Sequence, residues 1–129
     1  MNQKIEYIMG ETAEAKSAFT LEWAPVEERL RKILPLLDVN GKPVTQDTWV
    51  AHVDFAKVAN ALTGAADTTG LVTRFLNEVS KKAPKMTVKD LLRRPAAELM
   101  RWRKMGNRIT LLPNALVLHL NEQKANPAP

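Results

Sequence analysis

No cysteine occurs in the 129-residue chain. That excludes a disulfide framework, a thiolate zinc site and a cysteine nucleophile, and it suits a reducing compartment. Histidine is nearly missing too: His52 and His119 are the two present, too few without cysteine for a structural zinc site. Serine is confined to Ser17 and Ser80, and neither has a neighbour that would activate a hydroxyl. On a helix, His52 and Asp54 project about 200° apart and form no dyad. Gly41-Lys42 lacks the upstream glycine of a phosphate-binding loop and is followed by Pro43 in place of Ser or Thr. The sequence therefore argues against an enzyme, and neither a cofactor nor a metal is expected.

Long hydrophobic runs are missing as well. The opening MNQKIEYIMGE is interrupted by Glu6 and lacks the apolar core of a signal peptide, so a cytoplasmic protein is expected. The longest apolar tract, Ile109 to Leu120, is twelve residues and includes Pro113, Asn114 and His119, short of the roughly 20 residues that span a bilayer. A membrane partner is not expected. With 45% hydrophobic and 26% charged residues, the chain is long enough to bury a modest core as about one domain.

What the chain does have is concentrated positive charge. Between Lys81 and Arg108 lie ten basic residues against Asp90 and Glu98, a formal +8, so the remainder of this +5 chain carries −3. Positive charge gathered in one stretch implies a polyanionic partner.

Taken in order, residues 1–10 form a short strand or an ordered arm. Thr12 is placed to cap a helix that ends near Ala24, with Glu14 suiting its dipole. Pro25 fits the first position of a second helix. In that helix Val26, Leu30, Ile33 and Leu37 share a stripe, Glu27 and Arg31 are spaced for an ion pair, and Pro35 ends or kinks it. DVNGKP is a turn with Asn40-Gly41 suited to positive φ. Thr45 caps TWVAHVDFAKVANALTG, whose apolar residues nearly all round predict the central core helix, stopped by Gly64.

After AADTTG, the stripe Leu71, Phe75, Leu76 and Val79 predicts a helix over 71–82 closed by Pro84. Thr87 and Asp90 have the spacing of a capping box, with Asp in place of the usual Glu or Gln. Pro95 separates two short helices, VKDLLRR and PAAELMRWRKM, and Gly106 stops the second. The tail has two readings. Alternation in RITLL and ALVLHL around Pro113-Asn114 predicts a β-hairpin; the rival is one strand followed by a helix starting at Pro113, against which Leu112 is a poor N-cap. Asn126 to Pro129 should be frayed.

The expected fold is thus mainly α, a compact bundle of about six helices with a small C-terminal β-hairpin. A division around Gly64 to Gly70 separates an acidic helical part, 1–66, suited to self-association or partner docking, from a basic part, 67–121, and a tail, 122–129. One continuous core fits equally well.

The order helix, helix, helix, hairpin over about Asp67 to Asn121, together with its charge, resembles the winged helix-turn-helix family. The link at Arg94-Pro95 is shorter than that family's usual turn of three or four residues. The resemblance implies that Pro95 to Met105 enters the major groove of duplex DNA and that the hairpin touches the backbone. Independently, Arg94, Ala97, Arg101 and Lys104 share one helical face, while Leu99, Trp102 and Met105 turn inward. Trp102 is either core or a stacking platform between Arg101 and Arg103, and its spacing from Leu99 favours core. The nucleic-acid contacts expected are Lys85, Lys89, Arg93, Arg94, Arg101, Arg103, Lys104 and Arg108. Two functions follow: a small DNA-binding regulator or accessory factor, of the size and basicity found among phage and plasmid proteins, or a protein-binding adaptor, inhibitor or structural subunit using the same face. A solvated basic face with no ligand is the plain reading. A homodimer or another protein partner fits the N-terminal part.

Overall fold

A computed structural model describes residues 5–9, 13–62, 70–95, 98–99, 101–102 and 109–125. Among these it is mainly helical: α1 spans Ala13–Arg31, α2 Ala56–Ala61, α3 Leu71–Lys82, α4 Val88–Leu92 and α5 Leu111–Ala125, with a short 3-10 turn at Val50–His52.

The centre of the molecule is α5. All twelve residues from Ile109 to Leu120 are buried, which no surface helix with a single apolar stripe would be. This corrects the expected hairpin. Among the described residues there is no β-strand, only isolated bridges, and the segment around Pro113-Asn114 is helical. An uncharged apolar run that short reads equally as strand or buried helix. The features that pointed to a turn have other uses. Pro113 is the third residue of α5, where an N–H has no intrahelical acceptor to lose. The helix begins two residues earlier than the rival reading placed it, so Thr110, not Leu112, stands before it. Without the hairpin, no wing is seen among the described residues.

Two further expectations are corrected. Thr12 lies outside the described residues, and the expected pair of helices divided at Pro25 is one helix, α1, with Pro25 inside it. Pro25 is exposed, so its ring meets solvent and the molecule loses one helical hydrogen bond. Val26 and Leu30 are buried, Ile33 is half-buried, and the helix ends at Arg31, ahead of Pro35. The expected central helix over residues 45–64 is mostly not helical. Its backbone donors turn outward, with Val50 N–H donating to Met86 C=O at 2.8 Å and Asp54 N–H to Leu37 C=O at 2.9 Å. Only Ala56–Ala61 is α-helical there. Val50 and Val53 are buried while Trp49, Ala51 and His52 are exposed, so only part of the apolar residues that looked evenly spread faces the core from an irregular chain.

The turn at Asp38–Lys42 is as expected. Gly41 has φ +80, the left-handed region that glycine tolerates, and the Asp38 carboxylate accepts from the N–H groups of Asn40 and Lys42. α3 also matches its expected bounds, with Leu71, Phe75 and Val79 buried. Glu78 is buried beside them and pairs with Lys82 at 3.7 Å.

α1 packs on α2 and α5, α4 packs on α5, and α3 packs on the 3-10 turn. One hydrophobic cluster runs from Trp23 through Phe55 and Phe75 to Leu120. It therefore draws on residues from both sides of Gly64 to Gly70.

Candidate nucleic-acid interface

The basic stretch begins at the end of α3 and continues through the connection to α4. Thr87 caps α4 in both directions: its hydroxyl accepts from Asp90 N–H at 3.2 Å, and its own N–H donates to the Asp90 carboxylate at 3.2 Å. Those bonds hold the exposed Asp90 carboxyl below its usual range, and the expected capping box is present with Asp in it.

The connection is also tied to the segment before the 3-10 turn. Besides the Val50–Met86 bond, Val88 N–H donates to Thr48 C=O at 2.8 Å and Lys89 N–H to Gln46 C=O at 2.9 Å. Trp49 and Thr87 form the bridge between the two segments. Lys85 and Lys89 thus stand two residues either side of a fixed point.

Of the eight expected contacts, five lie among the described residues. Lys85, Lys89, Arg93 and Arg101 are exposed, and none of the four forms an ion pair with a described carboxylate. Arg94 behaves differently. It pairs with Glu98, donates from Nε to Met86 Sδ at 3.1 Å and lies 5.9 Å from the centre of the Trp102 ring. A guanidinium held in that way is a structural brace. Arg103, Lys104 and Arg108 lie outside the described residues, as do Ala97 and Met105. The expected face of Arg94, Ala97, Arg101 and Lys104 therefore has Arg94 half-buried and engaged with Glu98, Met86 and Trp102.

In the described part of 95–105, the bonds from Glu98 N–H to Pro95 C=O, Arg101 N–H to Glu98 C=O and Trp102 N–H to Leu99 C=O each close a three-residue turn. Trp102 is core, as its spacing favoured: it is 6% exposed and stacked on Phe75 with ring centres 6.2 Å apart.

Among the described residues, an aromatic that is exposed is one that the sequence did not single out as a contact. Trp49 is 40% exposed and lies against the His52 ring, centres 5.1 Å apart and tilted by 32°. Residues directly opposite in an antiparallel bridge project to the same face, so the indole is presented on the face that Thr87 shares, and in sequence Lys85 and Lys89 flank Thr87. Helical periodicity hid it by assigning Trp49 to a core helix.

An open groove runs beside α4, lined by Lys85, Arg93 and Arg94 but also by Asp90 and Glu98. Two carboxylates among its cations make the groove a poor anion pocket. What the described residues offer instead is four exposed cations, Lys85, Lys89, Arg93 and Arg101, and an exposed indole, Trp49, bridged to the same connection. Among the described residues no group of three or more His, Asp or Glu could hold a metal ion, and no helix is long and apolar enough to cross a membrane. Compared with known proteins, the chain matches no family model, no curated protein and no solved structure.

Proposed function

We propose that the protein is a non-enzymatic nucleic-acid-binding module, a regulatory or accessory factor, that holds single-stranded polynucleotide along the edge formed by Lys85, Lys89, Arg93 and Arg101. The observation that carries this reading is the exposed Trp49, bridged to Thr87, whose sequence neighbours Lys85 and Lys89 are exposed and unpaired among the described residues. Cations that track a phosphate backbone beside an aromatic on which bases stack are the two parts of a sequence-tolerant single-strand site. Duplex DNA was the partner first expected. The groove-reading face it needs is weakened because Arg94 is engaged with Glu98, Met86 and Trp102, whereas exposed cations that track a single strand need no groove. A chain without cysteine suits this role in the cytoplasm.

The test is fluorescence polarisation with labelled oligothymidylate of about 16 nucleotides, the upper end of the usual site size, against duplex of the same length and against an acidic peptide. Tighter binding to the single strand supports the proposal. Binding to the acidic peptide alone would establish the adaptor in its place.

A further inference from the structure

The chain's first described segment is held in an unusual way. Asn114 and Asn121 lie seven residues apart on α5, two turns and about 10.5 Å along the axis, and so project from the same face. Each carboxamide clasps one main-chain unit of the segment Ile5 to Met9. The Asn121 Oδ1 accepts from Ile5 N–H at 2.8 Å, and its Nδ2 donates to Ile5 C=O at 2.9 Å. Asn114 does the same at Ile8, at 2.6 and 2.7 Å. Three residues of polyproline II chain advance about 9.3 Å and return to the same side, so two clasps two helical turns apart fit residues three apart.

Between the clasps, Tyr7 lies edge-on to Trp23 of α1 with ring centres 5.3 Å apart, and its hydroxyl donates to the Glu27 carboxylate at 3.3 Å. Ile5 and Tyr7 pack against the core while Glu6 and Met9 are exposed. This is how a protein binds a foreign extended peptide: side-chain amides read the main chain, and shallow contacts read alternate side chains.

Asn114 is wholly buried. If the segment left, that amide would give up two main-chain hydrogen bonds, and the packing of Ile5 and Tyr7 on the core would go with them. The groove is therefore more stable filled than empty, and any replacement must present the same main-chain pattern. The segment's own sequence fits, and every second copy of the chain carries it.

We propose that the groove between α1 and α5 is a peptide-binding site whose ligand is the Ile5–Met9 segment, closed in cis in a single copy and exchanged in trans when a second copy donates its own segment. Cis and trans closure make identical contacts, so the choice between them rests on concentration. A segment tethered to its own groove has an effective concentration in the millimolar range, which keeps a single copy self-closed in dilute solution. A copy whose own segment is impaired accepts its neighbour's.

Two full-length variants test this. Ile5→Pro with Ile8→Pro removes both N–H donors and leaves the groove intact. Asn114→Leu with Asn121→Leu removes the groove's amides and leaves the segment intact. Each alone should be monomeric by light scattering, and an equimolar mixture should give a 1:1 heterodimer. A labelled synthetic peptide MNQKIEYIMG should bind the proline variant. Methylating its Ile5 and Ile8 amide nitrogens should weaken that binding by about 100-fold, at roughly tenfold for each lost hydrogen bond. If the leucine variant fails to fold by circular dichroism, the peptide stands in for it against the proline variant. A folded proline variant that ignores the peptide, binds the methylated peptide equally well, or forms no heterodimer with a folded leucine variant would overturn the proposal.

Discussion

His119 Nδ1 accepts the backbone N–H of Leu36 at 3.0 Å, deep in the core. The other ring nitrogen lies 2.8 Å from Val44 C=O, and Val44 N–H donates directly to Leu36 C=O at 3.0 Å. Leu36 and Val44 would exchange two bonds as an antiparallel pair. Here one is direct and the other runs through the imidazole. With Nδ1 as acceptor and Nε2–H as donor, the ring is neutral, and this single tautomer fastens the turn at Asp38–Lys42 to the central helix.

A pH dependence follows. Burial pushes His119 below its ordinary value of 6.5, and the bond to Val44 C=O opposes that only in part. Below pH 6.5 the unfolded chain takes up a proton that the native chain refuses, so this contribution is fully present above pH 6.5 and declines as pH falls toward the depressed native value. Urea titrations from pH 8 to pH 5 should show that decline. His119→Phe should flatten it and cost at least about 2 kcal/mol at pH 8, since two buried backbone groups lose their partner. An unchanged slope in the variant would show that other groups set it.

Two tryptophans should separate folding from binding. Trp102→Ala removes an aromatic stacked on Phe75 and should destabilise the protein by about 3 to 5 kcal/mol, read by thermal unfolding. Trp49→Ala should leave the melting temperature nearly unchanged, because much of its surface is already wet, and weaken single-strand binding by about 1 to 3 kcal/mol. The reverse pattern would remove Trp49 from the site.

What the sequence made legible is what local chemistry decides. The stripe Leu71, Phe75 and Val79 has one helical solution, the Thr87–Asp90 box works over three residues, and Gly41 supplies a φ that few residues tolerate. The missing parts depend on distant partners. Pro113-Asn114 looks like a turn until Asn114 is seen clasping Ile8, 106 residues away in sequence. Trp49 looks like core until its segment is seen bonded to 86–89. At the candidate interface, exposure of Lys85, Lys89, Arg93 and Arg101 follows from charge alone, whereas Arg94 leaves their company because Glu98 and Trp102 hold it.

Salt should report the phosphate contacts. If Lys85, Lys89, Arg93 and Arg101 each meet one phosphate, a single strand should show a slope of about −2.8 in log affinity against log salt, a loss of roughly 50-fold between 50 and 200 mM. Polarisation titrations across that range measure it, and a flat response would refute phosphate binding.

The last prediction asks whether position matters beyond net charge. Lys89→Ala with Arg93→Ala removes two exposed cations from α4 and its C-cap. Helix formation should not suffer, since Ala is the best helix former, and the Thr87–Asp90 cap is untouched. The salt slope should then become shallower by about 1.4, the contribution of two single-strand phosphates. The control must take the same charge from elsewhere without breaking structure. Arg31 is unsuitable because it pairs with both Glu27 and Glu122, so Lys32→Ala with Lys42→Ala serves, both residues being exposed, one just past α1 and the other in the turn at Asp38–Lys42. That pair should weaken binding only through the long-range field, which salt screens within about 10 Å at 0.1 M, leaving the slope nearly intact. Equal loss of slope from both pairs would mean that the ligand responds to overall charge, and the α4 edge would have no special claim to it.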